Sequence, residues 1–373
     1  MSYLDNNAST PLDPRITDFI ARTLPSLIGN PSSTHSYGRT VRALLSHAKD
    51  AAASVLHVSP RELTFTSGGT ESVNMGIRGL ITAQKKTGHI ITSAVEHSCV
   101  IACCKLLETC GFTVTYLRPG AWGAVTPEAV QGAIRPDTCL IALMAVNNET
   151  GVKTDISSVA SIAERHRIPL FVDAVALLGK EKFDITKGVS AMAFSGHKIH
   201  ALQGVGLLFV RSGVKLQPLL VGGEHESGRR AGTENVLGIL TMGKAFEFIA
   251  TELPESSAWM LARRQQFEER LSSLMPDVLI NGEGPRTVNV SNIAFPGIDG
   301  ETLLMLLDRA CIAASHGSAC SSGALEPSRI LLNMDLPPER VRSSIRFSFS
   351  RFTTEADIDH ACTVIARECK ALL

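Results

Sequence analysis

The chain has 373 residues, 44% of them apolar, and its 36 lysines and arginines balance its 36 aspartates and glutamates. This length provides apolar material for one large and one smaller domain, and the balanced charge removes the usual electrostatic basis for binding nucleic acid or an anionic membrane. The N-terminus has no basic or apolar region typical of a secretory signal, and no apolar run is long enough to span a membrane. We therefore expect a cytoplasmic protein whose nine cysteines are reduced.

Short β-rich runs alternate with amphipathic segments of helix length between about residues 60 and 210. This alternation is typical of βαβ units and predicts an α/β fold with a mostly parallel sheet covered by helices on both faces. A ligand is then expected at the carboxyl ends of the strands. The predicted strands are ELTFT (62–66), HIITSA (89–94), FTVTYL (112–117), CLIALMAV (139–146), IPLFVDA (168–174), AMAFS (191–195) and VGLLFV (205–210).

The pattern changes near residue 250, where a charged helical stretch begins a series of mixed helices and strands. We predict a large domain at 1–250 and a smaller α+β domain at 251–373, with roughly the first 12 residues able to pack on the smaller one. The elements predicted for the smaller domain are helix 259–275, strand 287–295, helix 300–310, strand 343–350 and a final helix.

The stretch FTSGGTES (65–72) predicts an anion-binding turn between a strand and a helix. Its glycines, Gly68 and Gly69, let backbone N–H groups approach a phosphate closely, and the following helix N-terminus adds a favourable dipole. Ser67 and Thr70 flank them. A turn capped by Thr70 is an equally good interpretation of this stretch alone.

Two predicted strands lead directly to charged side chains. Asp173 ends IPLFVDA, where a buried carboxylate needs a cationic partner, although it could simply cap the next turn. Lys198 follows AMAFS, where desolvation would lower its pKa and make it a nucleophile able to form a Schiff base; a surface lysine is the alternative. A phosphate cradle, Asp173, and Lys198 with its neighbours Ser195 and His197 together predict a site for pyridoxal phosphate.

Three further side chains could belong to the same site. His97 follows a strand and could stack on the cofactor ring and exchange protons, or be structural. Asn148, with Asn147 beside it, offers an amide to a ligand or builds a turn. Arg346, within an apolar strand, needs an anionic partner, either a substrate carboxylate or an internal salt bridge.

Two loops complete the set of candidates. The glycine-flanked segment SGRRAGTEN (227–235) contains Thr233 and could reach a phosphate, including one in a neighbouring subunit, or be an ordinary surface loop. Cys320 lies in ASHGSACSSG (314–323) among small and hydroxylated residues that would make a poor core, so it is either a reactive thiol or one of nine cysteines that happens to lie in a loop.

The chain resembles the NifS/IscS-like cysteine desulfurases, which belong to the fold-type-I pyridoxal-phosphate enzymes. The resemblance runs nearly from end to end and rests on motifs in a fixed order. They are YLDNNASTPLDPR (3–15), NPSSTHSYGR (30–39), FTSGGTES, VEHSCV, VNNETG, FVDA, SGHKI, AGTENV, GSACSSG and SSIRFSFSRFTTEADID (343–359).

The resemblance implies roles for the candidate residues. Lys198 would bind the cofactor aldehyde, Asp173 would pair with the pyridine nitrogen, and His97 would stack on the ring. Thr233 would reach the cofactor phosphate of the other subunit in a homodimer. The residues implied to hold the phosphate within one subunit are Gly69, Thr70, Ser195 and His197. Those implied to hold the carboxylate of the substrate are Asn148 and Arg346.

The implied reaction converts L-cysteine to L-alanine and leaves a persulfide on Cys320, whose sulfur then passes to an acceptor such as an iron–sulfur scaffold protein or the machinery of tRNA thiolation. Two other functions remain open at this point. A selenocysteine lyase would use the same residues but depend less on Cys320. A weakly active or silent homologue would act as a binding or scaffold protein.

The chain departs from the family pattern at three places. Ala176 replaces a glutamine expected to hydrogen-bond the cofactor ring oxygen, HALQ (200–203) replaces the usual Tyr-Gly-Pro-Lys, and Ser350 replaces a glycine. Losing a hydrogen bond to a charged oxygen costs about 1.5–3 kcal/mol, so we expect cofactor binding with weak or altered activity. Cys99, Cys103 and Cys104 lack the spacing of a metal site, and no metal is predicted.

Overall fold

The computed structural model describes residues 2–85, 87–317 and 327–373. The helices are α1 (Pro14–Thr23), α2 (Ser36–Leu56), α3 (Gly69–Thr82), α4 (Ser98–Thr109), α5 (Pro127–Gly132), α6 (Ile156–His166), α7 (Val236–Leu274), α8 (Gly300–Arg309), α9 (Arg329–Asn333), α10 (Pro338–Arg342) and α11 (Glu355–Leu372). The strands are β1 (Ser2–Tyr3), β2 (Leu63–Thr66), β3 (His89–Ser93), β4 (Thr113–Leu117), β5 (Thr138–Met144), β6 (Leu170–Asp173), β7 (Val189–Ser195), β8 (Gly206–Val210), β9 (Leu279–Ile280), β10 (Val290–Ala294), β11 (Ile312–Ala313) and β12 (Ser344–Ser348).

The larger sheet has seven strands in the order β2-β8-β7-β6-β5-β3-β4. β8 runs antiparallel to both of its neighbours, and the remaining neighbouring pairs are parallel. The seven strands predicted between residues 62 and 210 correspond to β2 through β8. The prediction of an α/β fold with a mostly parallel sheet is confirmed.

Both faces of this sheet are buried, because alternate side chains of each strand pack against a different layer of helices. In β6, Phe171 packs on the side of α3 and α4, whereas Leu170 and Val172 pack on the side of α2 and α7. The contact with α3 is so close that a Cβ at Gly76 would lie 2.4 Å from Cε2 of Phe171. Burial on both faces explains why β6 is a continuous apolar run until Asp173.

The strand register places several predicted site residues at one edge of the sheet. Asp173 in β6 lies opposite Met144 of β5 and Ala193 of β7. Since these three strands are parallel, their carboxyl ends lie side by side, and the residues that follow them share the same edge. Asn148 follows β5, and Ser195 ends β7.

The C-terminal part contains an antiparallel sheet in the order β12-β10-β9, whose apolar core includes residues of α7, α8 and α11. Leu4 belongs to this core, and β1 pairs with β11. α7 continues through residue 250, so the boundary between the two predicted domains remains a prediction. Among the described residues, no helix is both long enough and apolar enough to cross a membrane.

Candidate active site

A cavity of about 160 Å³ lies at the carboxyl ends of the strands of the larger sheet. The structure brings nine of the predicted site residues together around it, from segments far apart in the chain. They are Gly69, Thr70, His97, Asn148, Asp173, Ser195, His197, Lys198 and Arg346. A ligand in this cavity would therefore touch the residues that the sequence predicts for pyridoxal phosphate and its substrate.

Two of the predicted residues lie elsewhere. Thr233 is exposed and does not line the cavity of its own subunit. Cys320 lies outside the residues that the structure describes. The roles predicted for both remain predictions.

The start of α3 is the place where the sequence predicts a phosphate cradle. No side chain caps this helix, whose N-cap is Gly68, so the capping by Thr70 considered above is absent from the described structure. A Cβ at Gly69 would lie 3.0 Å from Cγ2 of Val175, which shows how closely the backbone approaches the next loop. The free N–H groups of a helix N-terminus attract an anion.

Two side chains complete the polar lining near this helix. Ser195 Oγ is buried and has no hydrogen-bond partner among the described residues, so it can serve a ligand without breaking a bond. Burial, together with the charge of Lys198, lowers the pKa of His197 to about 4, and a neutral imidazole results. An unpaired hydroxyl and a helix N-terminus are the chemistry that a phosphate requires, so this end of the cavity fits the phosphate of pyridoxal phosphate.

Asp173 lies at the bottom of the cavity at the end of β6. One of its carboxylate oxygens accepts a hydrogen bond of 3.0 Å from the backbone N–H of Val175, so it caps the turn as well. Burial raises the pKa of Asp173, and His97, the Val175 N–H and Lys198 oppose that rise. A buried carboxylate that lines a cavity suits a protonated ring nitrogen, as pyridoxal phosphate provides.

Lys198 reaches the same cavity from the turn after β7. Its ammonium group donates to the backbone carbonyls of Asn7 and Ala8, and the distance to Ala8 O is 2.9 Å. These carbonyls belong to the segment after β1, about 190 residues earlier in the chain. The N-terminal segment therefore forms one wall of the site and holds the amine of Lys198.

A second lysine, Lys180, lies behind Lys198, and the sequence reasoning did not identify it. Its side chain is buried and donates a hydrogen bond of 3.0 Å to the backbone carbonyl of Lys198. Burial, with the charges of Lys198 and Arg351, lowers the pKa of Lys180 to about 7. The signal that could have revealed it is a lysine that ends an apolar stretch, VALLGK, directly after the strand-end aspartate.

The residues predicted to bind the substrate carboxylate also line the cavity. Arg346 is 1% exposed and donates to Asp5 Oδ1 over 2.7 Å and to the backbone carbonyl of Asn148 over 3.1 Å. Both the Nε of Arg346 and the Oδ1 of Asn148 are buried without a hydrogen-bond partner among the described residues. An internal salt bridge is thus present, and the Nε–H of Arg346 is left without a partner among the described residues.

The two asparagines of VNNETG have different surroundings. Asn147 is buried in a turn, where its side-chain carbonyl accepts from the N–H groups of Glu149 and Thr150. Asn148 lines the cavity. Asn147 therefore builds the turn, and Asn148 lies where it could contact a ligand.

His97 is the N-cap of α4, and its Nδ1 accepts from the backbone N–H of Cys99 at 3.3 Å. The Sγ of Cys99 lies 3.0 Å from the same nitrogen, and Cys99 also lines the cavity. Burial, with Asp173 and Glu96 nearby, raises the pKa of the Cys99 thiol. The sequence favours a buried core thiol over a metal ligand at Cys99 and does not reveal this contact.

The structure also describes the three departures from the family pattern. Ala176 lines the cavity. His200, the first residue of HALQ, is buried with a positive φ of 66°, and its ring donates to the carbonyl of Pro11 over 2.8 Å. Ser350 is buried in a turn, where its Oγ accepts from the N–H of Phe352. His200 and Ser350 thus form hydrogen bonds that support the fold, whereas Ala176 changes the lining of the cavity itself.

Among the described residues, no group of three or more histidine, cysteine, aspartate or glutamate side chains is arranged to hold a metal ion. Arg230, from the basic loop, forms an ion pair of 2.9 Å with Glu71.

Known proteins resemble this chain over almost its whole length. The family model described as Aminotransferase class-V matches residues 2–360. A cysteine desulfurase from Trichormus azollae is 41% identical over 97% of this chain and 91% of its own length, and the cysteine desulfurase IscS of Methanosarcina thermophila is 40% identical over 97% and 90%.

Solved structures agree with this relationship. A NifS-like protein superimposes with a TM-score of 0.91 at 32% identity and covers 99% of both chains. The structure of SspA in complex with cysteine superimposes with a TM-score of 0.82 at 30% identity, over 95% of this chain and all of that one. The resemblance drawn from the motifs is confirmed. The chain belongs to the aminotransferase class-V family and, within it, to the pyridoxal-phosphate-dependent cysteine desulfurases.

Proposed function

We propose that this enzyme converts L-cysteine to L-alanine and that the sulfur leaves as a persulfide on Cys320. The observation that carries the proposal is the convergence of Lys198, Asp173, the α3 N-terminus and Arg346 on one cavity. The related structure of SspA in complex with cysteine supports L-cysteine as the substrate.

The cofactor, when bound, supplies an aldehyde for an amino group and a ring that withdraws electrons from the substrate Cα. The α3 N-terminus, Ser195 and His197 would hold its phosphate, and Asp173 would keep its ring nitrogen protonated. Lys198 is the amine that would hold the cofactor covalently.

The remaining residues act on the substrate. Arg346 and Asn148 would bind the carboxylate of L-cysteine, which orients the Cα–H bond. The amine of Lys198 would take the Cα proton, and His97 would return a proton to the substrate. The thiolate of Cys320 attacks the substrate sulfur, so a new S–S bond forms, the Cβ–S bond breaks, and its electron pair stays on the carbon that becomes the methyl group of alanine.

We further propose a homodimer in the cytoplasm, with Thr233 of each subunit reaching the phosphate site of the other. Two observations support this arrangement: Thr233 is exposed and lies away from the cavity of its own subunit, and Leu220 and Val221 expose apolar surface in the preceding loop. The sulfur would then pass from Cys320 to the thiol of an acceptor protein, such as an iron–sulfur scaffold.

The test incubates the purified holoenzyme with L-cysteine, quantifies alanine, and locates bound sulfur by mass spectrometry of non-reduced peptides. We expect alanine, one additional sulfur on Cys320, and loss of both in Cys320→Ser. The exposed Cys110 provides a control, since Cys110→Ser should leave both unchanged. Sulfur on another cysteine with Cys320 unmodified contradicts the assignment of Cys320.

The same preparation distinguishes the other functions. A natural enzyme that acts far better on selenocysteine than on cysteine, and whose Cys320→Ser variant retains the selenocysteine activity, would indicate a selenocysteine lyase. An enzyme that gains no cofactor absorbance with pyridoxal phosphate, and no covalent label on Lys198 after borohydride reduction, would be a silent homologue.

A further inference from the structure

His97 is held at the N-terminus of α4 by a residue that is itself part of the cavity wall. As the N-cap of α4, His97 uses its ring Nδ1 where a serine or aspartate would use an oxygen. The backbone N–H of Cys99 lies 3.3 Å from this nitrogen, and the Cys99 Sγ lies 3.0 Å from it. Two groups of one residue thus converge on a single nitrogen of the imidazole ring.

The hydrogen-bond directions follow from the chemistry of these groups. A backbone N–H can only donate, so Nδ1 has to be the acceptor. The Cys99 side chain is half-buried near the carboxyl groups of Asp173 and Glu96, which disfavours the thiolate, so the sulfur carries its proton and can donate as well. A proton on Nδ1 would eliminate the hydrogen bond from the backbone N–H and would leave the sulfur only as an acceptor.

We propose that Cys99 is a positioning residue for His97, whose thiol reinforces the backbone N–H so that the proton of the neutral imidazole lies on Nε2. The kinetic consequence of this role rests on the proposed function. There, the ring that exchanges protons with the substrate would be held in one tautomer and one orientation.

The experiment measures the tautomer directly in the holoenzyme labelled with ¹⁵N-histidine, using long-range ¹H–¹⁵N correlation spectra at neutral pH. The His97 resonances are identified by their absence in His97→Gln. We expect an unprotonated Nδ1 and a protonated Nε2 in the natural enzyme. A dominant Nδ1–H tautomer overturns the proposal.

Two substitutions separate the thiol from the backbone. Cys99→Ala removes the side-chain donor and keeps the N–H, and we expect a mixture of tautomers and a kcat that falls about threefold to tenfold at unchanged KM, the loss of one hydrogen bond. Cys99→Ser keeps a donor and should restore the single tautomer. Unchanged tautomer populations in Cys99→Ala, or no rescue by Cys99→Ser, overturn the proposal.

Cys103 provides the matched control, because it lies one turn further along α4, is buried, and does not line the cavity. Cys103→Ala should leave the His97 tautomer unchanged, and a shift in this variant as large as that in Cys99→Ala overturns a specific role for Cys99. If the natural enzyme forms no alanine but His97 shows the expected tautomer, the proposed function fails and the role of Cys99 stands.

Discussion

Arg346 and Asp5 form an ion pair of 2.7 Å that joins β12 to the segment after β1, with side chains that are 1% and 17% exposed. Asp5 forms a parallel β-bridge with Ser348, so the carboxylate and the guanidinium are held by adjacent backbone segments. The arginine expected to bind the substrate carboxylate therefore has a permanent anionic partner. This arrangement fixes the orientation of the guanidinium before any substrate arrives.

We predict that Asp5→Asn raises the KM for L-cysteine about threefold to tenfold and changes kcat less, because Arg346 loses the charge that orients it. The free energy of unfolding should also fall by about 1–3 kcal/mol, since a buried guanidinium loses a charged partner. Steady-state kinetics and denaturant unfolding measure the two effects. A lower KM in Asp5→Asn would show instead that Asp5 competes with the substrate for Arg346.

We predict that Lys180→Met stabilises the enzyme in a pH-dependent manner. The pKa of Lys180 is about 7 in the folded state and near 10.5 when the chain is unfolded, so the unfolded state binds more protons between these values. The stability of the natural enzyme therefore increases as the pH rises from about 7 to 10.5. The Lys180→Met variant lacks this pH-dependent contribution. Its free energy of unfolding should therefore exceed that of the natural enzyme by the largest amount at or below pH 7.

Denaturant unfolding of both proteins between pH 6 and 10 measures this difference. The exposed Lys105 is the control, and Lys105→Met should follow the natural enzyme at every pH. A stability difference between Lys180→Met and the natural enzyme that is constant over this range contradicts the prediction, because it would show that Lys180 acts only through its hydrogen bond to Lys198.

The fold could be predicted well from the sequence because its strands are short apolar runs with clear ends. The order of the strands in the sheet and the reversed direction of β8 could not be predicted, since strand pairing depends on contacts far apart in the chain. The site residues divide in the same way, into those with a local sequence signal and those that depend on contacts between distant segments. Residues directly after strands, such as Asp173 and Lys198, carry a local signal.

The residues that the sequence reasoning missed act through tertiary contacts. Asp5 and Asn7 reach the site because the N-terminal segment folds back onto β12 and onto the turn after β7. Lys180 takes part only because its side chain donates a hydrogen bond to the backbone carbonyl of Lys198. No pattern of spacing or composition within the N-terminal segment indicates which later strand it will contact.

We predict that Ala176→Gln increases the affinity for pyridoxal phosphate about tenfold to a hundredfold and raises cysteine-dependent alanine production. Ala176 lines the cavity, and an amide at this position would restore a hydrogen bond worth about 1.5–3 kcal/mol to a charged ring oxygen. Cofactor titration and alanine release measure these effects. Ala176→Met is the control for added volume without an amide, and unchanged or lower activity in Ala176→Gln contradicts the prediction.

The last prediction concerns acid stability and His200. Burial, reinforced by the charge of Lys180, lowers the pKa of His200 to about 3, whereas an unfolded histidine has a pKa near 6.5. The unfolded state therefore binds more protons between these values, and the enzyme loses stability as the pH falls from about 6.5 towards 3.

His200→Tyr installs the residue usual in the family and removes this titration, so the variant should lose less stability over the same range. At about 1.4 kcal/mol for each unit of pKa, the difference amounts to several kcal/mol, which denaturant unfolding between pH 4 and 7 would detect. Parallel curves for the two proteins would show that His200 does not contribute to acid unfolding.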